Sequence, residues 1–156
     1  MPLGFRYLLA FLFTFGSGAI VSAFTAPEAS TWYTTLALPT LIAIPAILFA
    51  PAWTISYSVQ AISFARIFKI QSTEEERQWV MTFIFQLICC MMWSLLFFGY
   101  HALILAMIVA LTLYISLILL LLKSWEAEKI SFYLLLPHLL WGTLLAILSI
   151  NAWWAN

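Results

Sequence analysis

Five long apolar segments, separated by turns or polar stretches, constrain the fold of this chain more than any other feature of its sequence. Each is long enough to cross about 30 Å of hydrocarbon as an α-helix. The apolar runs are continuous rather than alternating, which argues against transmembrane β-strands. The sequence therefore predicts an all-α integral membrane protein, a bundle of five transmembrane helices that forms a single domain over residues 1–156. The predicted helices lie near residues 7–24, 45–68, 78–98, 102–122 and 131–153.

The composition excludes a water-soluble fold. Only 8% of the residues are charged and 65% are hydrophobic, whereas soluble domains carry about 25% charged residues. So few charges do not cover the surface of a soluble globule, but a bilayer solvates apolar surface at no cost. The formal net charge is zero, which argues against nucleic acid as a partner.

The positions of the basic residues predict the orientation in the membrane. All of them fall near the N-terminus, or in or next to the second and fourth connections, and the other side of the membrane receives none. By the positive-inside rule the N-terminus is cytoplasmic, and the C-terminus and the 25–44 loop lie on the far side. We expect the membrane to be that of a bacterial cell. The basic residues are Arg6, Arg66, Lys69, Arg77, Lys123 and Lys129.

A cleaved signal peptide is an alternative interpretation of the first apolar segment. Arg6 precedes this segment, and Val21-Ser22-Ala23 resembles a cleavage site. The apolar run is, however, long for the hydrophobic region of a signal peptide, which favours a first transmembrane helix.

Ionisable groups are missing where ion-coupled carriers and enzymes need them. No carboxylate, lysine or arginine lies near the middle of a predicted helix, which argues against an ion-coupled transporter. The sequence contains no Asp, no set of Ser, His and acid on facing helices, and no cluster of metal ligands. We therefore predict no catalytic residue, no metal site and no required cofactor. His138 has two interpretations: a hydrogen bond to irregular backbone after Pro137 or to a neighbouring helix, or a contact to a bound tetrapyrrole.

The aromatic residues form two groups. Trp79, Trp125, Trp153 and Trp154 fall at predicted helix ends, as expected of an interfacial aromatic belt. A second group lies within the helices, where Trp53 and Tyr57 share one helix face and Trp93 and Phe97 share another. Tyr114 and Trp141 could complete a wall. Such flat side chains suit a planar apolar ligand, although a stripe of this kind is also compatible with plain helix packing.

A series of motifs runs in order along nearly the whole chain: Gly16-Ser17-Gly18, Trp32-Tyr33-x-x-Leu36-x-x-Pro39, Pro45, Phe49-x-Pro51-x-Trp53-Thr54-x-x-Tyr57, Gln86-Leu87, Trp93, Phe97-Phe98-Gly99, Leu135-Leu136-Pro137-His138-Leu139-x-Trp141, Trp153 and Asn156. In this order and at this spacing, the motifs resemble the TspO/MBR family of translocator and tryptophan-rich sensory proteins. The sequence departs from the family pattern at Cys90, His138, Leu145 and Ser149, positions that face the ligand or neighbouring helices in the family.

The resemblance implies a membrane receptor or sensor that binds porphyrins, including haem, and related hydrophobic molecules such as sterols or lipids. A transporter of such ligands and a weak catalyst of porphyrin breakdown remain alternatives. The loop with Trp32 and Tyr33 would cover the mouth of the pocket. The implied ligand-contacting residues are Trp32, Tyr33, Pro45, Trp53, Tyr57, Cys90, Trp93, Phe97, Tyr114, His138, Trp141 and Leu145.

The resemblance also implies a homodimer in contact with membrane lipid. Small residues recur every four positions on two predicted helices, and this spacing permits close approach of helices. The same spacing would equally serve packing inside one bundle. The residues concerned are Thr14, Gly18 and Ser22 on the first helix and Ala102, Ala106 and Ala110 on the fourth.

Overall fold

A computed structural model describes residues 3–67 and 73–156. These residues form five long helices and no strand, so the predicted all-α fold is confirmed. Lys69 and Ser72 lie outside the described residues. The helices are α1 (Leu3–Ser30), α2 (Phe49–Ile67), α3 (Thr73–Ser94), α4 (Leu103–Ala127) and α5 (Lys129–Ala155).

Several helices extend beyond the apolar segments that predicted them. The helix α3 begins at Thr73, because Glu74, Glu75 and Glu76 occupy its first turn, where the helix dipole favours negative charge. The helix α4 continues to Ala127, so that the predicted polar loop at 123–129 shrinks to one residue. Polar residues at helix ends therefore continue these helices outside the hydrocarbon.

The helix α1 differs most from its prediction. We expected residues 25–44 to be a connection, but the helix continues through Pro27 to Ser30. It bends by 60° between the segments Tyr7–Ala23 and Thr25–Thr35. The bend has a local cause, since the ring of Pro27 conflicts with the carbonyl group four residues earlier, that of Ala23. Four other helices are long and apolar enough to span a membrane, and the bent α1 makes a fifth.

The helices pack as a closed ring in the order α1, α2, α5, α4, α3. The ring closes where α3 and the π-helical turn after it, Leu95–Gly99, contact α1. This wider turn places the adjacent rings of Phe97 and Phe98 both inside the bundle. Regular α-helical geometry would separate the two side chains by about 100°.

One end of the bundle, which we call the basic end, collects polar side chains from several helices. Arg66 donates from Nε and Nη2 to the two carboxylate oxygens of Glu128, at 3.1 and 2.8 Å. Glu128 also accepts a bond from the backbone N–H of Ser131 and so caps α5. The Arg66 guanidinium lowers the pKa of Glu128 to about 2. Lys123 donates to Gln78 at the same end.

The opposite end, which we call the loop end, is closed by the segment between α1 and α2. This segment contains the 3₁₀ turns Trp32–Thr35 and Ala46–Leu48. The hydroxyl of Tyr33 donates to the carbonyl of Ile44 at 2.8 Å. The backbone N–H of Ala37 donates to Asn156 Oδ1 at 3.0 Å. These bonds attach the segment to itself and to the end of α5.

The structure corrects the prediction for one tryptophan. Trp79, expected in the interfacial belt, is fully buried, and its Nε1 donates to Ser124 Oγ at 2.8 Å. The other three predicted belt residues are exposed, and Trp154 has 82% of its surface accessible. Trp79 lies inside because α3 begins several residues before the apolar segment, so that this position is already within the bundle.

Candidate ligand-binding site

A cavity of about 330 Å³ lies between α1 and α2, next to the end of α3. One wall comes from α1, where the side chains are small or hydroxylated, and the opposite wall comes from α2, where aromatic rings dominate. The lining residues are Phe15, Gly18, Ala19, Val21, Ser22, Thr25, Ala26 and Ala29 from α1, Ala46, Phe49, Ala50, Trp53, Thr54 and Tyr57 from α2 and the turn before it, and Ser94 and Phe98 from the end of α3.

The aromatic wall is built by helical spacing. Trp53 and Tyr57 lie one turn apart on α2, and their rings stack with centroids 5.4 Å apart and an interplanar angle of 21°. Phe15 from α1 approaches Tyr57 from the other side, at 6.0 Å. Gly18 makes this possible, because a Cβ atom there would lie 2.4 Å from Tyr57 Cε2. The missing side chain at position 18 therefore sets the distance between α1 and the ring of Tyr57.

Among the described residues, no charged side chain lines the cavity, and its polar side-chain groups are hydroxyls and the indole N–H of Trp53. Thr25 and Thr54 donate to backbone carbonyls of their own helices, at 3.0 and 2.8 Å. The Tyr57 and Ser94 hydroxyls make no hydrogen bond to another described residue, so they remain available to a ligand. The cavity therefore favours an uncharged surface with few polar atoms.

Of the predicted site residues, only Trp53 and Tyr57 line this cavity. Most of the other predicted site residues belong, together with Trp53, to one apolar cluster on the side of Trp53 that faces away from the cavity. Pro45 is exposed at the start of a 3₁₀ turn. The predicted residues that this cluster brings together are Trp32, Tyr33, Trp53, Cys90, Trp93, Phe97, Tyr114, Trp141 and Leu145.

Trp93 and Trp141 form a second layer behind Trp53, at centroid distances of 6.3 and 5.9 Å. Trp93 is fully buried, and its Nε1 donates to Ser149 Oγ at 2.8 Å. Ser149, at a position where the sequence departs from the family pattern, thus provides the hydrogen-bond acceptor for the Trp93 indole N–H. Trp141 Nε1 is buried without a hydrogen-bond partner, and such an unpaired donor is uncommon.

His138 lies in a buried polar cluster outside the cavity lining. Its Nε2 lies 3.1 Å from Gln86 Oε1, and Gln86 Nε2 donates to Gln60 Oε1 at 2.6 Å. Because the Gln86 oxygen is an acceptor, the Nε2 of His138 carries the hydrogen. Cys90 Sγ lies 3.9 Å from the same nitrogen. Of the two interpretations of His138, the structure contains the hydrogen bond to a neighbouring helix. Its contact to a tetrapyrrole stays a prediction.

The sequence analysis missed the α1 wall and two of the phenylalanines. Phe49 and Phe98 were part of the matching motifs but were not selected as site residues. On α1, small residues at positions 18, 22, 25, 26 and 29 share one face. We interpreted Gly18 and Ser22 as part of a helix-contact pattern, whereas in the structure both line the cavity. Among the described residues, no three His, Cys, Asp or Glu side chains come together as a metal site.

Comparison with known proteins gives consistent matches along the chain. The model of the TspO/MBR family matches residues 10–155. Protein CrtK of Rhodobacter capsulatus is 27% identical over 96% of this chain and 90% of its own length. A tryptophan-rich protein TspO of Chlorobaculum tepidum is 30% identical over 82% of this chain and 81% of its own length. One from Archaeoglobus fulgidus is 33% identical over 77% of this chain and 76% of its own length.

Proposed function

This chain belongs to the TspO/MBR family, and we propose that it is a membrane receptor or sensor that binds porphyrins and related hydrophobic molecules in the cavity between α1 and α2. The observation that carries the proposal is the neutral, aromatic lining of that cavity, with Trp53 stacked on Tyr57. Large flat rings attract planar apolar molecules through their area and their quadrupole. Porphyrins, sterols and lipids share this apolar character.

The shape of the cavity fits a ligand that enters from the bilayer. Its volume of about 330 Å³ lies at the lower end of the range of small-molecule sites, about 300–1,000 Å³. Ala19, Ala26, Ala50 and Thr54 line it and are themselves exposed. A ligand larger than the cavity would extend between these small side chains into the lipid.

The unpaired indole N–H of Trp141 supports the proposal that the second layer also contributes to ligand binding. Its Nε1 has no partner, and the ring of Trp53 lies between it and the cavity, packed edge to face at 5.9 Å. A rotation of Trp53 on ligand binding would bring this donor within reach of a ligand oxygen or nitrogen. Ten of the twelve residues that the sequence implied would then act as two layers, with Trp53 and Tyr57 in front, while Pro45 and His138 lie outside both layers.

The test is a titration of the protein in lipid nanodiscs with protoporphyrin, followed by quenching of tryptophan fluorescence. We expect Trp53→Leu to weaken binding by about 1–3 kcal/mol, roughly five- to 150-fold, because it removes a stacking surface. Trp154→Leu is the matched control, since Trp154 is 82% exposed at the end of α5, and it should leave affinity unchanged. Equal affinity of Trp53→Leu and the unmodified protein would refute this cavity as the porphyrin site.

We further propose that the basic end faces the cytoplasm. The described basic side chains that make polar contacts there, Arg66 and Lys123, support the positive-inside argument. On a background without Cys89 and Cys90, an impermeant thiol reagent applied to intact cells should label Ser30→Cys but not Ser72→Cys. Equal labelling of the two variants would refute this orientation.

A homodimer is proposed from the family alone, and its interface lies outside the small-residue stripes. Gly18 packs against Tyr57 of the same chain, and Ala106 and Ala110 are fully buried inside the bundle. These positions therefore serve packing within one subunit. The mass of the protein after correction for bound detergent should correspond to two chains, and Ala106→Leu should lower stability without changing that mass. A monomeric mass for the unmodified protein would contradict the proposal.

A further inference from the structure

At the loop end, His101 meets Glu28 and Trp32, which lie four residues apart and about 70 residues before it in the sequence. The imidazole of His101 lies flat on the indole of Trp32, with centroids 4.0 Å apart and an interplanar angle of 9°. Its Nε2 lies 3.4 Å from Glu28 Oε2. Glu28 belongs to the last turn of α1, Trp32 to the segment between α1 and α2, and His101 to the turn before α4. One imidazole thus contacts both other segments.

The backbone of His101 supports this arrangement. Its φ angle is +53°, in the left-handed region that most residues avoid. Among the described non-glycine residues it is alone in having a positive φ. This conformation turns the chain sharply between the π-helical turn and α4 and directs the side chain over Trp32.

The cluster is connected to the cavity wall. Trp32 packs edge to face on Phe97 and Phe98, at centroid distances of 5.4 and 6.5 Å. Phe98 lines the cavity, as does Ala29, the residue that follows Glu28. No residue of the 31–45 segment lines the cavity itself, but a movement of Trp32 away from His101 would remove the packing that holds Phe98 in the cavity wall.

The charges near His101 are simple to assign. Within the described residues, Glu28 supplies the charged side chain that contacts His101. The hydroxyl of Tyr33, from the same segment as Trp32, is bonded to Ile44, and Tyr100 is the exposed neighbour of His101 on its own turn. Thr31 donates weakly to Glu28, at 3.4 Å. Protonation of His101 would thus act on Glu28 and Trp32.

We propose that His101, Glu28 and Trp32 form a proton-dependent latch that holds the 31–45 segment against Phe97 and Phe98 at the cavity wall, so that a bound ligand leaves more slowly at acidic pH. A protonated imidazole forms an ion pair with Glu28 and a cation–π contact with Trp32. A neutral imidazole keeps only the stack and a weak hydrogen bond. Histidine side chains change charge between about pH 5 and 8. The latch is therefore closed near pH 5 and looser near pH 8. The effect on ligand release rests on the proposed function.

The test compares the unmodified protein with His101→Asn and Glu28→Gln at pH 5.5 and pH 8. Asparagine tolerates the left-handed backbone but carries no charge. Glu126→Gln is the control, since Glu126 is an exposed acid near the basic end. Amide hydrogen exchange of residues 31–45 measures the latch without any ligand, and the release of protoporphyrin measures its effect on the site. Each rate is expressed as the ratio of variant to unmodified protein at the same pH. The intrinsic pH dependence of amide exchange and of the porphyrin is then the same in both proteins and cancels.

At pH 5.5 we expect His101→Asn to exchange and to release porphyrin about three- to tenfold faster than the unmodified protein, the scale of an exposed ion pair plus a cation–π contact. Glu28→Gln keeps the contact with Trp32 and should do so about two- to fivefold faster, the scale of the ion pair alone. At pH 8 both ratios should be smaller: that of Glu28→Gln should fall below about twofold, and that of His101→Asn should fall to the value left by the loss of the stack on Trp32. Ratios that are equal at the two pH values, or an equal effect of Glu126→Gln, would refute the latch. If the amide exchange ratio depends on pH but neither the unmodified protein nor any variant binds porphyrin, the latch is supported and the proposed function is refuted.

Discussion

The substitution Gly18→Ala tests most directly how the sequence sets the distance between α1 and α2. The added Cβ would lie 2.4, 2.7 and 3.0 Å from Cε2, Cζ and Cδ2 of Tyr57, well inside van der Waals contact at about 3.5–4.0 Å. Tyr57 borders the cavity, but moving its ring into that space would disturb its stack on Trp53. The helix or the ring must shift by about 1 Å, and overpacking of this kind costs about 1–3 kcal/mol.

Gly16→Ala is the matched control for this prediction. It lies two residues earlier on the same helix, and nothing lies within 4 Å of its added Cβ. Replacing a helical glycine by alanine without a clash stabilises a helix by roughly 0.5–1 kcal/mol. The same chemical change should therefore have opposite signs at the two positions. In a chain of this size each kcal/mol changes the melting temperature by about 2–4 °C.

The free cysteines provide the assay. Cys89 and Cys90 are buried and unpaired, so a thiol-reactive fluorophore reports unfolding during a thermal ramp in detergent. We expect Gly18→Ala to lower the melting temperature by about 2–12 °C and Gly16→Ala to leave it unchanged or raise it. Tyr57→Leu removes the ring, so in its background Gly18→Ala should lose most of its effect. A melting temperature of Gly18→Ala equal to that of the unmodified protein would refute this account of the interface.

Two further predictions concern polar pairs that join the helices. The pKa of Glu128, about 2, is below that of a free glutamate, about 4.3. The ionised Glu128 carboxylate therefore adds roughly 1–3 kcal/mol to the free energy of unfolding above about pH 4.5, and this stabilisation is lost as the pH falls toward 2. Glu128→Gln should therefore lower the melting temperature near pH 7 and flatten its dependence on acid, and an unchanged acid dependence would contradict this. Ser149→Ala leaves the buried Trp93 Nε1 without its acceptor and should lower the free energy of unfolding by about 1–3 kcal/mol. Ser149→Thr keeps a hydroxyl and should retain most of the stability in the same thermal assay. Equal melting temperatures of the two variants would contradict the role of this bond.

Much of the candidate site was visible in the sequence, but its layering was not. Helical spacing predicts that Trp53 and Tyr57 share a face, and likewise Trp93 and Phe97, because these relations depend only on residues within one helix. Both pairs do stack, at 5.4 and 5.0 Å. Which pair borders a cavity and which lies behind it depends on the neighbouring helices. Gly18 and the alanines of α1 leave space in front of Trp53, whereas Ser149 of α5 closes on Trp93.

The sequence by itself determined the all-α membrane fold, because the apolar runs and the breaks between them are local properties. Only the tertiary structure decided the ring order of the helices, the burial of Trp79, the bonding of His138 to Gln86 and the contact of Glu28 with His101. Each of these joins side chains far apart in the chain. Their distances follow from how closely helices approach, and that approach depends on small residues, on the bend that follows from Pro27 and on the π-helical turn at Leu95–Gly99.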